Sequence, residues 1–294
     1  DKYIRENLGY TGDVYGSTAG GGRSKLYGTG TFFYHAQEKY GVNAILSLSL
    51  SRNETGNGRS YLAVNKNNGF GLNAVDTNPI EGASWYPTFQ SSILGYASKW
   101  ITYGYAHPRD WRYFGPQFGD KWIGMNVKYA SDTYWSEKMA ANYYSRDRAY
   151  GLQDYNYYQT AVTTKLTAAY PTPSTEKDAI FYYRSSDIAL VLLDEVEGTE
   201  VEGNKTWYKV VSDMNLDKNF NQVFSGYYNW DSYVYVPAAH VYKINEGKHG
   251  YISPNDVPKH KDRDYTYDLH TEEATLKRLT KYVGFQSQEL MRNN

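Results

Sequence analysis

The stretch Asn43-Ala-Ile-Leu-Ser-Leu-Ser-Leu-Ser-Arg-Asn-Glu-Thr-Gly-Asn-Gly58 decides the fold. It supports two readings. Ile45 through Ser51 alternates apolar and polar residues with period two, the signature of a half-buried strand. Asn43, however, is a strong helix N-cap, and Gly56 and Gly58 offer an exit after Glu54. The same residues therefore also read as a helix from Ala44 to about Glu54. The cap and the exit favour the helix, and the helix has a chemical consequence. Leu46, Leu50 and Glu54 then lie at i, i+4 and i+8 and share one face, so an apolar stripe ends in a carboxylate. Glu54 also stands near a helix C-terminus, where the macrodipole disfavours negative charge. Both effects raise a carboxyl pKa, as a general acid working near neutral pH requires. The competing reading is a solvated glutamate at a helix end.

On the N-terminal side, residues 1–30 are Gly-rich, with Gly20 to Gly22 in a row, and read as an arm or linker. Thr31 to Tyr40 reads as a helix stopped by Gly41. On the C-terminal side, Phe89, Ile93, Tyr96, Ala97, Trp100 and Ile101 have the spacing of one buried amphipathic helix over Phe89–Tyr105. Ser131 or Asp132 caps a further helix to about Tyr144, and a short helix near Asp154–Ala169 is expected. Tyr170-Pro-Thr-Pro-Ser174 has linker composition. Beyond it the period changes. Ala179–Tyr183, Ile188–Leu193, Thr206–Val211, Ser232–Val236 and Val241–Ile244 are short β-rich runs, the pattern of a small barrel or sandwich. Residues 246–294 form a polar tail with one weak helical stretch at Glu272–Tyr282. The expected organisation is an arm (1–30), a helical domain (31–170), a linker (171–177), an all-β domain (178–245) and the tail.

Composition excludes several chemistries. The 294 residues contain no cysteine, so disulfides, thiolate nucleophiles and Cys-based zinc sites are ruled out. Lys+Arg is 31 against Asp+Glu 32, a balance that lacks the phosphate-neutralising surplus of a general nucleic-acid binder. No run of about 18 apolar residues exists to cross a membrane. The chain lacks a signal peptide and does not start with Met, so it reads as a mature product or excised fragment. Asp213-x-Asn215-x-Asp217 has Lys218 and Phe224 where a calcium loop needs Gly and Glu. The histidines have no zinc spacing, Gly20–Gly22 lacks a phosphate-loop Lys, and no nucleophile elbow is present. No metal or cofactor is therefore expected. Tyrosine is abundant at 33 residues, with 10 Phe and 7 Trp. Such rings suit stacking on sugars, although they also fill cores.

Glu54-Thr-Gly-Asn-Gly58, Ala63-Val-Asn-Lys-Asn-Asn-Gly-Phe-Gly71 and Ala74-Val-Asp-Thr-Asn-Pro79 occur in order. Tyr103-Gly-Tyr-Ala-His-Pro108, Asp110-Trp-Arg-Tyr-Phe114 and Gly124-Met-Asn-Val-Lys-Tyr-Ala-Ser-Asp132 follow. Over roughly residues 28–145 this series resembles glycoside hydrolase family 73, the bacterial endo-β-N-acetylglucosaminidases and autolysins of clostridial and bacillar type. The resemblance implies an α+β chain with a lysozyme-like, mainly helical catalytic domain and a small β lobe. It also implies Glu54 as general acid, Tyr129 in the cleft, and Asn67, Asn68, Phe70 and Gly71 in the turn and strand of the β lobe.

The second catalytic group stays open among Asp76, Glu81 and Asp132, or the substrate's own 2-acetamido group. Asp76 also reads as a turn residue, and Asp132 equally as a helix cap. Tyr103, Tyr105, Trp111, Tyr113, Phe114, Tyr129, Tyr134 and Trp135 are candidates for sugar stacking, with Arg109 and Arg112 as candidates for stem-peptide carboxylates. Asn204-Lys-Thr-Trp-Tyr-Lys-Val-Val211 and Trp230-Asp-Ser-Tyr-Val-Tyr-Val236 resemble bacterial SH3-like wall domains. The implied protein is a secreted, monomeric enzyme of the bacterial cell wall whose partner is peptidoglycan glycan.

Overall fold

Helix α1 (Gly30–Tyr40) ends at Gly41, which adopts the left-handed conformation and returns its N–H to Gln37 O. Helix α2 (Ala44–Glu54) follows at once, and its Asn43 cap accepts the Leu46 N–H at 2.8 Å. The two-residue alternation is resolved in favour of the helix. Leu46 and Leu50 are fully buried, and so are Ser47, Ser49 and Ser51. A helix buried on nearly all sides has no polar face to display. Two of its serines instead return their hydroxyls to carbonyls, Ser49 Oγ to Ile45 O at 2.7 Å and Ser51 Oγ to Gly69 O at 2.6 Å.

Described here are residues 24–74, 80–149, 151–152 and 154–248 of a computed structural model. The remaining helices are α3 (Tyr61–Lys66), α4 (Phe89–Gly95), α5 (Asn126–Tyr129) and α6 (Trp135–Ala149). The single amphipathic helix expected over Phe89–Tyr105 changes register partway. After α4 it continues as a π-helix, Tyr96–Tyr105. Thr102 explains part of this, since its hydroxyl bonds Ala97 O at 2.9 Å and Tyr40 O at 2.6 Å, reaching back five residues and across to α1.

Strand β1 (Thr160–Thr163), β2 (Thr167–Ala169), β3 (Phe181–Tyr183), β4 (Ala189–Val201), β5 (Asn204–Val211), β6 (Tyr233–Pro237) and β7 (Val241–Asn245) complete the order. Five of them form an antiparallel sheet in the order β6-β5-β4-β1-β7, and β2 pairs with β3. β6 and β7 stand at opposite edges of this sheet, yet only the 3-10 turn Ala238–His240 joins them. So short a connection requires the sheet to curl. Helices and sheet together make the chain α+β.

Several expectations are corrected. The helix near Asp154–Ala169 is absent, because Thr160–Thr163 and Thr167–Ala169 are strands held by β4, β7 and β3. The sheet thus begins upstream of the presumed linker. That stretch is itself tied down, since Tyr170 pairs with Tyr235 and Pro173 O accepts the Thr199 N–H. Residues 24–29 belong to the helical core rather than to an arm. Leu26 is fully buried and Lys25 N bonds Gly58 O. The small β lobe has no strand among the described residues 55–88, which form turns around α3. The expected tail helix at 272–282 lies outside the described residues.

Each half of the molecule inserts an aromatic ring into the other. Tyr228, from the β5–β6 connection, packs in the helical core against Gly41. Tyr113, from the helical half, sits in the core of the sheet and donates its hydroxyl to Asp213 Oδ2 at 2.8 Å. Gln117 adds a second tie, donating to Asp187 O at 2.7 Å.

Candidate active site

Glu54 is the last residue of α2 and is half-buried. The helix anchors it from one side through Leu46 and Leu50, which lie in the core. From the other side comes α6, whose first residue, Trp135, directs its indole N–H to Glu54 Oε1 at 3.4 Å. A third wall is backbone. Gly71, at φ +62°, stands where a Cβ would come within 3.8 Å of Glu54 Oε2. Gly71 adopts the left-handed conformation, which favours glycine.

From Trp135 a chain of aromatic contacts runs away from the carboxyl. Trp135 is stacked on Tyr129 with centroids 4.3 Å apart, and Phe118 meets it edge-on at 5.5 Å. The Tyr129 hydroxyl is 3.2 Å from that of Tyr96, whose ring stacks on Phe70 at 3.8 Å. Tyr105 lies 5.2 Å from Tyr129 and carries the Arg112 guanidinium over its face.

This setting fixes the electrostatics. Burial among the rings pushes the Glu54 carboxyl above the ordinary carboxylate range, and the hydrogen bonds from Trp135 and Asn53 pull part of the way back. Burial likewise raises the Tyr96 and Tyr129 phenols, and the nearby Glu54 charge adds to both. The two tyrosines therefore remain neutral hydrogen-bonding groups, and Glu54 is the acid of the cluster.

The other expected site residues fall in different places. Asn68 is fully buried and knits its own loop. It donates to Leu72 O and Ser84 O at 3.0 Å and accepts the Leu72 N–H at 3.0 Å. These bonds shape the turn where a strand was expected. Phe70 and Tyr105 are buried, so they support the rings around Glu54 rather than offering open faces. Tyr113 is part of the sheet core. Tyr103 is half-buried between the halves of the molecule and donates to Val223 O. Trp111 is 70% exposed, next to the Asp110–Arg112 ion pair. Asp132 accepts the Tyr134 N–H and pairs with Lys138 at 2.6 Å, holding the turn that leads into α6. Glu81 is exposed beside Lys66, which gathers Ile80, Glu81 and Ala83 carbonyls. Asp76 lies outside the described residues.

Sequence reasoning gave Trp135 only as a stacking candidate and missed its hydrogen bond to the acid. The Tyr96 hydroxyl contact was also missed, although its ring was correctly read as core. No carboxylate or histidine cluster able to hold a metal ion occurs among the described residues.

Residues 30–148 match the Glucosaminidase family, described as mannosyl-glycoprotein endo-beta-N-acetylglucosaminidase. Two curated relatives, each named putative endo-beta-N-acetylglucosaminidase and coming from two strains of Streptococcus pneumoniae, are 43% identical to this chain over 119 residues. The match covers 40% of this chain but only 17% and 16% of the relatives. Glu54, Trp135 and the ring cluster all lie within the matched segment. These likenesses support a glycoside hydrolase with a glycan substrate.

Proposed function

We propose that the matched segment hydrolyses the β-1,4 bond after N-acetylglucosamine in bacterial peptidoglycan, with Glu54 as the general acid. The observation that carries this reading is the carboxyl itself. It ends a buried helix, is raised by burial and is held by the Trp135 indole. Glu54 delivers its proton to the leaving glycosidic oxygen as the bond to C1 breaks. The substrate's acetamido carbonyl, or a second carboxylate such as Asp76 or Glu81, stabilises the oxocarbenium-like centre. Water then adds to C1 and returns a proton to Glu54.

The remaining features extend the reading. The curled sheet, with Trp207 buried and its indole bonded to Thr199 O at 2.8 Å, is taken as an SH3-like module that holds the enzyme to the wall. Its interlocked aromatic contacts with the helical half suit a module that positions the catalytic one. The protein is taken to act as a secreted, monomeric autolysin-type enzyme on peptidoglycan strands.

Digestion of purified peptidoglycan, followed by mass spectrometry, tests the proposal. Reducing N-acetylglucosamine ends are expected from the wild-type chain. Glu54→Gln is expected to lose on the order of 10²–10⁴ in rate while keeping its fold. Anhydro products would point to a lytic transglycosylase, and no release at all to a glycan-binding protein. Either outcome rejects the hydrolase assignment.

A further inference from the structure

The loop from Gln117 to Met125 is braced around one exposed indole. Asp120 N donates to Ile123 O at 2.8 Å, Gly124 N to Phe114 O at 2.8 Å and Met125 N to Gln117 O at 2.8 Å. The Asp120 carboxylate closes the tip by accepting the Trp122 and Ile123 amides at 2.6 and 3.0 Å. The turn is tight enough that a Cβ on Gly119, at φ +70°, would stand 1.6 Å from Ile123 O. At this tip Trp122 is 87% exposed, the most open of the large apolar side chains described. A rigid loop that holds a tryptophan in water is a recognition feature, because burying that ring elsewhere would stabilise the chain.

Trp122 lines one wall of an open groove of about 510 Å³. The β-rich half lines it with Tyr242 of β7, 66% exposed, and with Ser186 and Asp187 from the bend between β3 and β4. The walls are fixed relative to one another by buried Gln117, which donates to Asp187 O at 2.7 Å and accepts the Ala189 N–H at 3.3 Å. The groove is therefore preformed. Its lining combines the exposed rings of Trp122 and Tyr242 with Asp120, Ser186 and Asp187, the Ser186 hydroxyl donating to Asp187 Oδ2 at 2.7 Å.

That chemistry favours one class of ligand. Aromatic rings accept the C–H faces of hexopyranoses, while carboxylates and hydroxyls take sugar hydroxyl and amide hydrogens. The same carboxylates repel the phosphates of anionic polymers. The loop also packs against the start of α6, which holds the indole donor to Glu54: Phe118 lies edge-on to Trp135, and Phe118 O accepts the Ser136 hydroxyl at 3.1 Å. We propose that this groove is a second binding site for neutral N-acetylhexosamine glycan, gripping a stretch of chain apart from the one at Glu54. This rests on the proposed glycan substrate and adds a place where the β-rich half takes part in holding it.

The test uses the full chain with Glu54→Gln, so that binding is read without hydrolysis, and chitohexaose as the probe in calorimetric titration. Two classes of site are expected. Trp122→Ala and Tyr242→Ala should each weaken one class by roughly two- to tenfold, and Tyr182→Ala, an exposed aromatic outside the groove, should change neither. A single class of site, or affinities unmoved by Trp122→Ala and Tyr242→Ala, would overturn the proposal. So would displacement of chitohexaose from the groove by poly(glycerol phosphate). Hydrolysis by the chain carrying native Glu54 is measured separately, so a failed groove and a failed catalytic assignment give different results.

Discussion

The Trp135 indole N–H donates to Glu54 Oε1 across 3.4 Å, while the Trp135 ring stacks on Tyr129 and meets Phe118 edge-on. One side chain thus excludes water from the carboxyl, which raises its pKa, and donates a hydrogen bond to it, which lowers it. The balance lies on the raised side.

Replacing Trp135 by Phe separates these two effects. The ring contacts largely remain, but the donor is lost. With less support for the ionised form, the Glu54 pKa should rise further. The alkaline limb of the rate–pH profile, where the acid loses its proton, should therefore move to higher pH even as the maximal rate falls. A profile of kcat/KM against pH for wild type and Trp135→Phe reads this directly, and an alkaline limb that stays in place or moves down contradicts it.

Glu54 also makes stability depend on pH. A carboxyl with a higher pKa in the folded than in the unfolded chain binds its proton more tightly when folded. Its stabilising contribution is full below the unfolded value and is lost as pH rises through the folded value. Glu54→Gln lacks this dependence. Its melting temperature should gain on the wild type as pH is raised from about 4 to 8. Thermal melts of both proteins across that range check the trend, and a gap that stays constant or narrows counts against it.

The aromatic exchange between the two halves predicts cooperativity. With Tyr228 buried in the helical core and Tyr113 in the sheet core, the wild-type chain should melt in one transition. Tyr228→Ala removes a buried ring, at a cost of about 3–5 kcal/mol by analogy with other aromatic deletions. It should lower the melting temperature of the helical half and split the transition in calorimetry. Two transitions already present in the wild type would contradict this picture.

Asn43 joins the start of α2 to the end of the helical half. It caps Leu46 and directs its amide towards the Tyr143 hydroxyl at 3.2 Å and Asp154 Oδ2 at 3.4 Å. Asn43→Ala should destabilise the chain by about 1–2 kcal/mol through the cap alone, with the buried contacts adding to that. Denaturant titration gives the value, and a loss below about 0.5 kcal/mol would show that water replaces the cap.

The parts of this fold that were legible in sequence rest on local chemistry. Asn43, Gly41 and the alternating strands beyond Thr206 follow rules that operate within a few residues. The alternation at Ile45–Ser51 misleads because its serines lie inside the core, a fact of packing around α2 that no local pattern contains. Thr160–Thr163 were misread for a related reason. A four-residue strand has little pattern of its own, and its identity comes from partners at Ala189 and Val241, far along the chain.

At the site, the sequence by itself singled out the candidate acid proposed above: a carboxylate at i+8 from Leu46 on a capped helix, followed by glycines. Tertiary structure alone decided its environment. Trp135 and Gly71 reach Glu54 from separate segments, and Gln117 ties the two halves of the molecule together. Burial and hydrogen bonding between distant segments depend on how elements pack in space, and one-dimensional spacing encodes only the neighbours within a helix turn or a strand pair.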